Sequence, residues 1–248
     1  MSLAVAETWS ERGNAYALSE VHRAGPSLAK LLTLLRPQAT DICLDVGTGA
    51  GHTAAAFAQY VHSITGLDPA EGMLEAAKNT YPNITFVSGS SDALPFEAAS
   101  FDLMTARHTL HHHGSVPAFL AEAQRTLKPG GRLGIVDEIT PSAELDDWYD
   151  RLERLRDPTH NRAYTMLEWQ NFVEDSGLTW VCGDSLTYLR LDVAEWINRT
   201  TPQENLETVW QMFQDAPDAA KAAFSIAYEA DKAITFDMPL GIILISKP

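Results

Sequence analysis

The sequence predicts an α/β protein built on a doubly wound, mostly parallel sheet of seven strands, with helical lid insertions near the C-terminus. Three observations carry this. From residue 41 onward, short apolar runs alternate with amphipathic helical segments, the pattern produced by right-handed strand–helix–strand crossovers. The first apolar run, Cys43-Leu44-Asp45-Val46, breaks into glycines at alternate positions, Gly47, Gly49 and Gly51. A strand, a glycine turn and a helix in that order let the backbone approach a nucleotide-type ligand closely. Finally, Asp45, Asp68, Asp92, Arg107, His108 and Asp137 all fall at or just past predicted strand ends, the edge of an open sheet where ligands bind.

The elements follow in order. Residues 1–36 are expected to be helical: Leu28, Leu31, Leu32 and Leu35 recur at helical spacing, and Pro37 ends the pattern. Before them, Asn14, Tyr16, Ser19 and His22 give a more polar stretch, either a cover for a ligand or a solvated leader. Strands are predicted at 41–46, 63–68, 84–88, 101–106 and 132–136, with helices at 53–60, from Pro69 to 79, and at 116–127. Pro69 suits the first turn of its helix, and Lys128-Pro129-Gly130-Gly131 is expected to stop the third helix with a left-handed glycine cap. Further on, helices are expected at 144–156, 165–177, 203–214 and 217–230, and strands at 178–191 and 233–246.

The 248 residues are compatible with one domain over 1–248: a sheet core at about 37–140 plus the C-terminal strands, with lid elements at about 1–30, 141–165 and 190–232. The formal charge of −15 argues against a nucleic-acid partner, which requires clustered Lys and Arg. Two cysteines, Cys43 and Cys182, each lie in an apolar run and read as reduced core residues of a cytoplasmic protein. The first residues lack the basic-then-apolar pattern of a signal peptide, and no apolar run approaches the ~18 residues of a membrane span, so no membrane partner is expected.

The glycine spacing alone leaves two cofactors open. A dinucleotide-binding oxidoreductase carries G-x-G-x-x-G, whereas this chain has G-x-G-x-G. Further stretches decide between them: Leu44-Asp45-Val46-Gly47-Thr48-Gly49-Ala50-Gly51, Gly66-Leu67-Asp68-Pro69 with Met73-Leu74-Glu75-Ala76-Ala77, Ser91-Asp92-Ala93-Leu94-Pro95-Phe96, Phe101-Asp102-Leu103 and Leu127-Lys128-Pro129-Gly130-Gly131-Arg132. In this order and spacing over about 41–138, they resemble the class I S-adenosylmethionine-dependent methyltransferases. The likeness is to the type 11 branch, which includes the ubiquinone- and menaquinone-biosynthesis methyltransferases. Leu155-Arg156-Asp157-Pro158-Thr159-His160 and Glu168-Trp169 resemble a subgroup of small bacterial members, extending the likeness over nearly the whole chain.

The resemblance implies a Rossmann-like methyltransferase fold, S-adenosylmethionine as cofactor and a role for each matching residue. Asp45 and the backbone of Gly47, Thr48 and Gly49 would hold the amino-acid end of the cofactor. Asp68, followed by Pro69, would accept from the ribose hydroxyls. Met73 would lie on the adenine face, with Asp92 and the Ala93 N–H on its edge, and Arg107 completes the cofactor set. Read without the family, Asp68 is also a plain helix cap, Asp92 a turn residue and Met73 a core residue.

The acceptor side is expected in Arg107-His108-Thr109-Leu110-His111-His112-His113. His108 and His112 are four apart, would share a face if helical, and are the candidates for taking a proton near neutral pH. Three consecutive histidines cannot all point at one ion and no acid or cysteine cluster accompanies them in sequence, so no metal is expected. Asp137 and Glu138 are weaker candidates for the site rim. Trp196, Trp210, Phe213 and Tyr228 are expected to form either an apolar pocket wall or a local core. The functional expectation is methyl transfer from S-adenosylmethionine to a small-molecule acceptor, at oxygen or carbon. The alternatives are an NAD(P)-binding oxidoreductase and a non-catalytic cofactor-binding relative.

Overall fold

The computed structural model describes residues 6–11, 25–230 and 232–248. Asn14, Tyr16, Ser19 and His22 lie outside the described residues. One sheet organises the molecule, in the order β3-β2-β1-β4-β5-β8-β6, with a short β7 paired to β8. Its strands are β1 (Ile42–Val46), β2 (Ser63–Asp68), β3 (Thr85–Ser88), β4 (Phe101–Arg107), β5 (Leu127–Glu138), β6 (Thr179–Asp192), β7 (Ala227–Glu229) and β8 (Lys232–Ser246). Pairings among β1 to β5 are parallel, while β8 runs antiparallel to both β5 and β6. The eighth strand, β7, is the one addition to the expected seven. Of the helices, α1 (Pro26–Leu35), α2 (His52–Ala58), α3 (Glu71–Thr80), α4 (Val116–Thr126), α5 (Asp146–Arg156) and α6 (Met166–Asp175) precede β6. Then α7 (Val193–Thr200), α8 (Leu206–Gln214) and α9 (Asp218–Ala223) lie between β6 and β7.

Neighbouring residues of the central strands point to opposite faces, which gives two apolar clusters. Cys43, Leu103 and Val136 join one cluster with Leu31 and Leu35 of α1, Phe57 of α2 and the C-terminal helices. Leu44, Met104 and Ile135 join the other with Phe119 and Leu120 of α4 and Trp169 of α6. The base of the sheet is tied by the two cations of the Lys128-to-Arg132 stretch. Lys128 Nζ donates to Asp102 Oδ2 (2.6 Å), which also accepts from the Ile42 N–H. Arg132 donates to the Leu35 carbonyl and to Asp41 Oδ2. These motif residues are structural.

Several expectations change. Lys128-Pro129-Gly130-Gly131 does not cap α4; it is the opening of β5, where the register with β4 shifts and Gly130 takes a φ of 77°. Pro69 lies before α3, whose N-cap is Ala70. The helix expected over 217–230 stops at Ala223, because Ser225 turns left-handed (φ 44°) and the chain re-enters the sheet as β7. Helix α7 was not foreseen; Asp192 caps it by accepting from the Glu195 N–H. Cys43 is buried, whereas Cys182 is exposed, since β6 is an edge strand covered on one side only. Among the described residues no helix is long and apolar enough to cross a membrane.

Candidate active site

The carboxyl ends of β1, β2, β4 and β5 converge on one cavity of about 280 Å³. At the end of β1 the chain turns through Gly47, Gly49 and Gly51, all at positive φ (65°, 52° and 85°). Glycine is required at Gly47 for a second reason: a β-carbon there would meet Thr109 Oγ1 at 2.0 Å. At Gly49 a β-carbon would meet nothing within 4 Å, because that position faces the cavity. Asp45 is the strut of this turn. It accepts from Thr48 Oγ1 (2.7 Å) and Thr105 Oγ1 (2.6 Å) while buried beneath them, and burial raises its pKa.

Asp68, at the end of β2, closes the turn from the other side. Its Oδ2 accepts from the Gly49 N–H and its Oδ1 from the Ala70 N–H, both at 2.9 Å. Each carboxylate oxygen keeps a further lone pair, and the residue lines the cavity. Burial pushes its carboxyl up to about 6. Asp68 therefore braces the loop before α3 and also faces the cavity.

Gly47, Thr48, Gly49, Asp68, Met73 and Arg107 line the cavity; Asp45, Pro69, Asp92 and Ala93 do not. Asp45 is the buried support just described. Asp92 and Ala93 are exposed, with the Ser90 hydroxyl bonded to Asp92 and the Ala93 N–H donating to the Ser90 carbonyl. The loop thus satisfies its own polar groups instead of turning them toward the cofactor end. Arg107 is buried against the turn, donating from Nε to Thr53 Oγ1 at 2.8 Å.

The histidine run is not an α-helix. His108 has a φ of 54° and only Leu110–His112 form a single 3₁₀ turn. His108 and His112 nevertheless both line the cavity. His112 is held by Nδ1 against the Thr159 carbonyl (3.0 Å) and edge-on to Trp9, and burial keeps its pKa well below the usual value. His113 bridges Ser91 Oγ (2.9 Å) and Thr109 Oγ1 (3.2 Å), and burial brings it down to about 4. It is a neutral clamp between loops.

The residue that sequence reasoning passed over is His111. Its Nδ1 lies 2.5 Å from Asp137 Oδ1, and Asp137 is itself fixed by the Leu110, His111 and Glu138 N–H groups. Burial opposes a charge on this imidazole, but the Glu138 and Asp137 carboxylates outweigh it and push His111 up to about 9. Asp137 and Glu138, expected at a solvated rim, are 2% and 6% exposed. Beside them come Arg156 and Asp157 from the end of α5 and its following loop, and Leu189, Leu191, Trp196, Met238 and Leu240 from β6, α7 and β8. Trp196 serves both expected roles: it walls the cavity and stacks edge-on with Phe213 and Phe236 in the core. Trp210 and Tyr228 stay outside the cavity, Tyr228 donating to the Phe213 carbonyl at 2.7 Å.

A family described as a methyltransferase domain matches residues 44–135. Over 225 residues the chain is 32% identical to the uncharacterized methyltransferase YcgJ of Bacillus subtilis, covering 88% of each chain. The YcgJ crystal structure superimposes with a TM-score of 0.84 over 89% of this chain and 97% of that one. The Escherichia coli protein YafE is 30% identical over 77% of this chain and 95% of its own. The demethylmenaquinone methyltransferase of Chlorobaculum tepidum is 35% identical over 40% of this chain and 41% of its own. With the glycine turn, the Asp68 acceptor and the sheet order all in place, the chain belongs to the class I S-adenosylmethionine-dependent methyltransferases.

Proposed function

We propose that the enzyme methylates an oxygen or a carbon of a small-molecule acceptor held between the glycine turn and the wall made by β6, α7 and β8. One observation carries the reading. The same cavity that opens on Gly47–Gly49, Asp68 and Met73 continues to an apolar wall (Leu189, Leu191, Trp196, Met238, Leu240) and a polar floor at His111 and Glu138. When bound, S-adenosylmethionine supplies a methyl group already activated on a sulfonium. The chain then has to align the acceptor and exclude water.

The residues present fit that cofactor. Gly49 leaves its cavity face open, Asp68 retains lone pairs for a diol, and the Met73 thioether offers an apolar surface to a flat ring. Arg107 would meet a carboxylate at the amino-acid end. Asp45 acts by holding the turn, and Asp92 and Ala93 would need their loop to open before they touched the adenine. On the acceptor side, His108 is the residue we assign to receive a proton, while His112 is a wall residue tied to the Thr159 carbonyl. The segments at 6–11, 141–165 and 190–232 are the proposed cover over this cavity; Trp9, Arg156, Asp157, Leu191, Trp196 and Arg199 are their contributions to its lining.

The formal charge of −15 favours a neutral or cationic acceptor over an anionic one. Incubating the enzyme with methyl-labelled S-adenosylmethionine and a metabolite extract should yield a labelled small product bearing a new O-methyl or C-methyl group, identified by mass spectrometry. Label recovered only in protein or nucleic acid would refute the acceptor class. His108→Ala should bind the acceptor normally but turn over at least about tenfold more slowly, in line with the usual contribution of a proton-transfer residue. Full turnover in that variant would rule His108 out.

A further inference from the structure

Carboxylates crowd the acceptor end of the cavity. Among the described residues, Asp137, Glu138, Glu153 and Asp157 are buried there with the Arg156 guanidinium and the His111 imidazole. Burying carboxylates in such number is unfavourable unless cations match them. A second, independent observation lies beside them. The His160 side chain is fully buried, and neither ring nitrogen has a hydrogen-bond partner among the described residues. The Asp150 Oδ1 atom, 4.0 Å away, likewise has no hydrogen-bond partner among them. Buried imidazole nitrogens are normally bonded, and leaving them unmatched is destabilising.

The same imidazole completes a ligand set. His111, Glu138 and His160 each offer one donor atom, and the three atoms lie within 4.8 Å of one another. His111 Nε2 and Glu138 Oε1 are 3.9 Å apart. Donors around a tetrahedral ion with ~2.1 Å bonds stand roughly 3.4 Å apart, so small side-chain rotations suffice. The supporting contacts are those of a metal site. Asp137 holds the His111 Nδ1 side, which leaves Nε2 to act as ligand, and the Tyr149 hydroxyl donates to Glu138 Oε2 at 3.4 Å, which leaves Oε1. His111 and Glu138 both line the cavity, so an ion bound here would have an open side facing the acceptor.

We propose that His111, Glu138 and His160 bind one divalent first-row transition metal ion at the floor of the acceptor pocket, whose open coordination position seats an oxygen of the acceptor. Two imidazoles with one carboxylate favour Zn²⁺, Fe²⁺ or Mn²⁺ over Mg²⁺ and Ca²⁺, which prefer all-oxygen shells. The three residues come from the 3₁₀ turn after β4, the end of β5 and the loop after α5, so no contiguous sequence motif exposes the set. Only the seating of the acceptor depends on the proposed function; metal binding stands apart from it.

The test uses the full chain, stripped with a chelator and titrated calorimetrically with Zn²⁺, Mn²⁺ and Mg²⁺ in turn, with metal content read by mass spectrometry. The expected result is one equivalent of Zn²⁺ or Mn²⁺ and no Mg²⁺ at the same concentration. Glu138→Gln and His160→Ala should each lower the affinity more than about 100-fold, Tyr149→Phe about tenfold, and exposed His62→Ala not at all. S-adenosylmethionine affinity, measured on every variant, reports whether the fold is intact; Glu138→Gln keeps the shape of the side chain if His160→Ala proves unfolded. Absence of binding to the wild type, or equal stoichiometry and affinity in Glu138→Gln, overturns the site. Metal bound as expected but no labelled small product would instead refute the proposed function and leave the site standing.

Discussion

Asp68 shows how one side chain can brace the fold and still face the cavity. Its two oxygens already hold Gly49 and Ala70, and under the proposed assignment a ribose diol would add to this set instead of replacing it. Asp68→Asn exchanges one acceptor oxygen for a donor, and a hydrogen bond to a charged group contributes about 1.5–3 kcal/mol. S-adenosylmethionine should therefore bind about 10- to 100-fold more weakly in calorimetry, and an unchanged affinity would sink the ribose assignment. The same group sets a pH limit. Because burial holds its carboxyl up at about 6, the ionised acceptor form predominates above that pH and is lost below it. Cofactor affinity should be level above about pH 6 and fall about tenfold per unit below it, as for uptake of a single proton. A flat profile between pH 5 and 8 would show that Asp68 is not the acceptor. That Asp68, Met73, Gly47 and Gly49 meet at the cavity was legible in the sequence because their placement is local, set by position after a strand or on a helix face. His111 was not. Its significance depends on Asp137 and Glu138, 26 and 27 positions along the chain, and on His160, 49 positions along, which only the sheet brings together.

The elements carry their own tests. The glycine turn separates two effects of the same substitution. Gly47→Ala adds a β-carbon 2.0 Å from Thr109 Oγ1 at positive φ, so stability should fall by about 2–4 kcal/mol in denaturant unfolding. Gly49→Ala has space around it and should cost only about 1 kcal/mol from its left-handed backbone, yet lose cofactor affinity because the new methyl occupies the cavity. Equal effects from the two would contradict the turn geometry. At α6, Thr165 and Glu168 form a capping box. Thr165→Ala should lower stability by about 1 kcal/mol without changing cofactor affinity. Periodicity located most helices and strands to within a few residues, since α1, α4 and α6 each bury one apolar stripe against the sheet. It failed at Lys128–Gly131, where glycine's freedom suits a helix cap and a bulged strand equally well, and register against β4 made the choice. It failed again at 217–230, where alanines favour helix but pairing of 227–229 with β8 prevails.

At the scale of the whole molecule, the cavity joins two differently built halves. The half assigned to the cofactor comes from β1 to β4 with their loops, in unbroken sequence order; the proposed acceptor wall is gathered from β6, α7 and β8. The two should respond independently. Leu191→Trp, on the wall, should leave S-adenosylmethionine affinity within about twofold while cutting turnover by more than about tenfold, a separation expected when bulk enters only the acceptor pocket. Loss of both together would mean the halves are not separable. The sheet order has one more consequence, for how the chain comes to be folded. Among the described residues β6 pairs with β8 alone, which follows it by some forty residues, and β8 in turn is tied back to the opening of β5: Lys247 exchanges backbone hydrogen bonds with Gly130 and Gly131, and its Nζ reaches the Leu127 carbonyl. The pairings among β1 to β5 need nothing from β6 or β8, whereas the opposite wall stands only once β6 and β8 have met across some forty residues, so the costlier chain closure belongs to the wall.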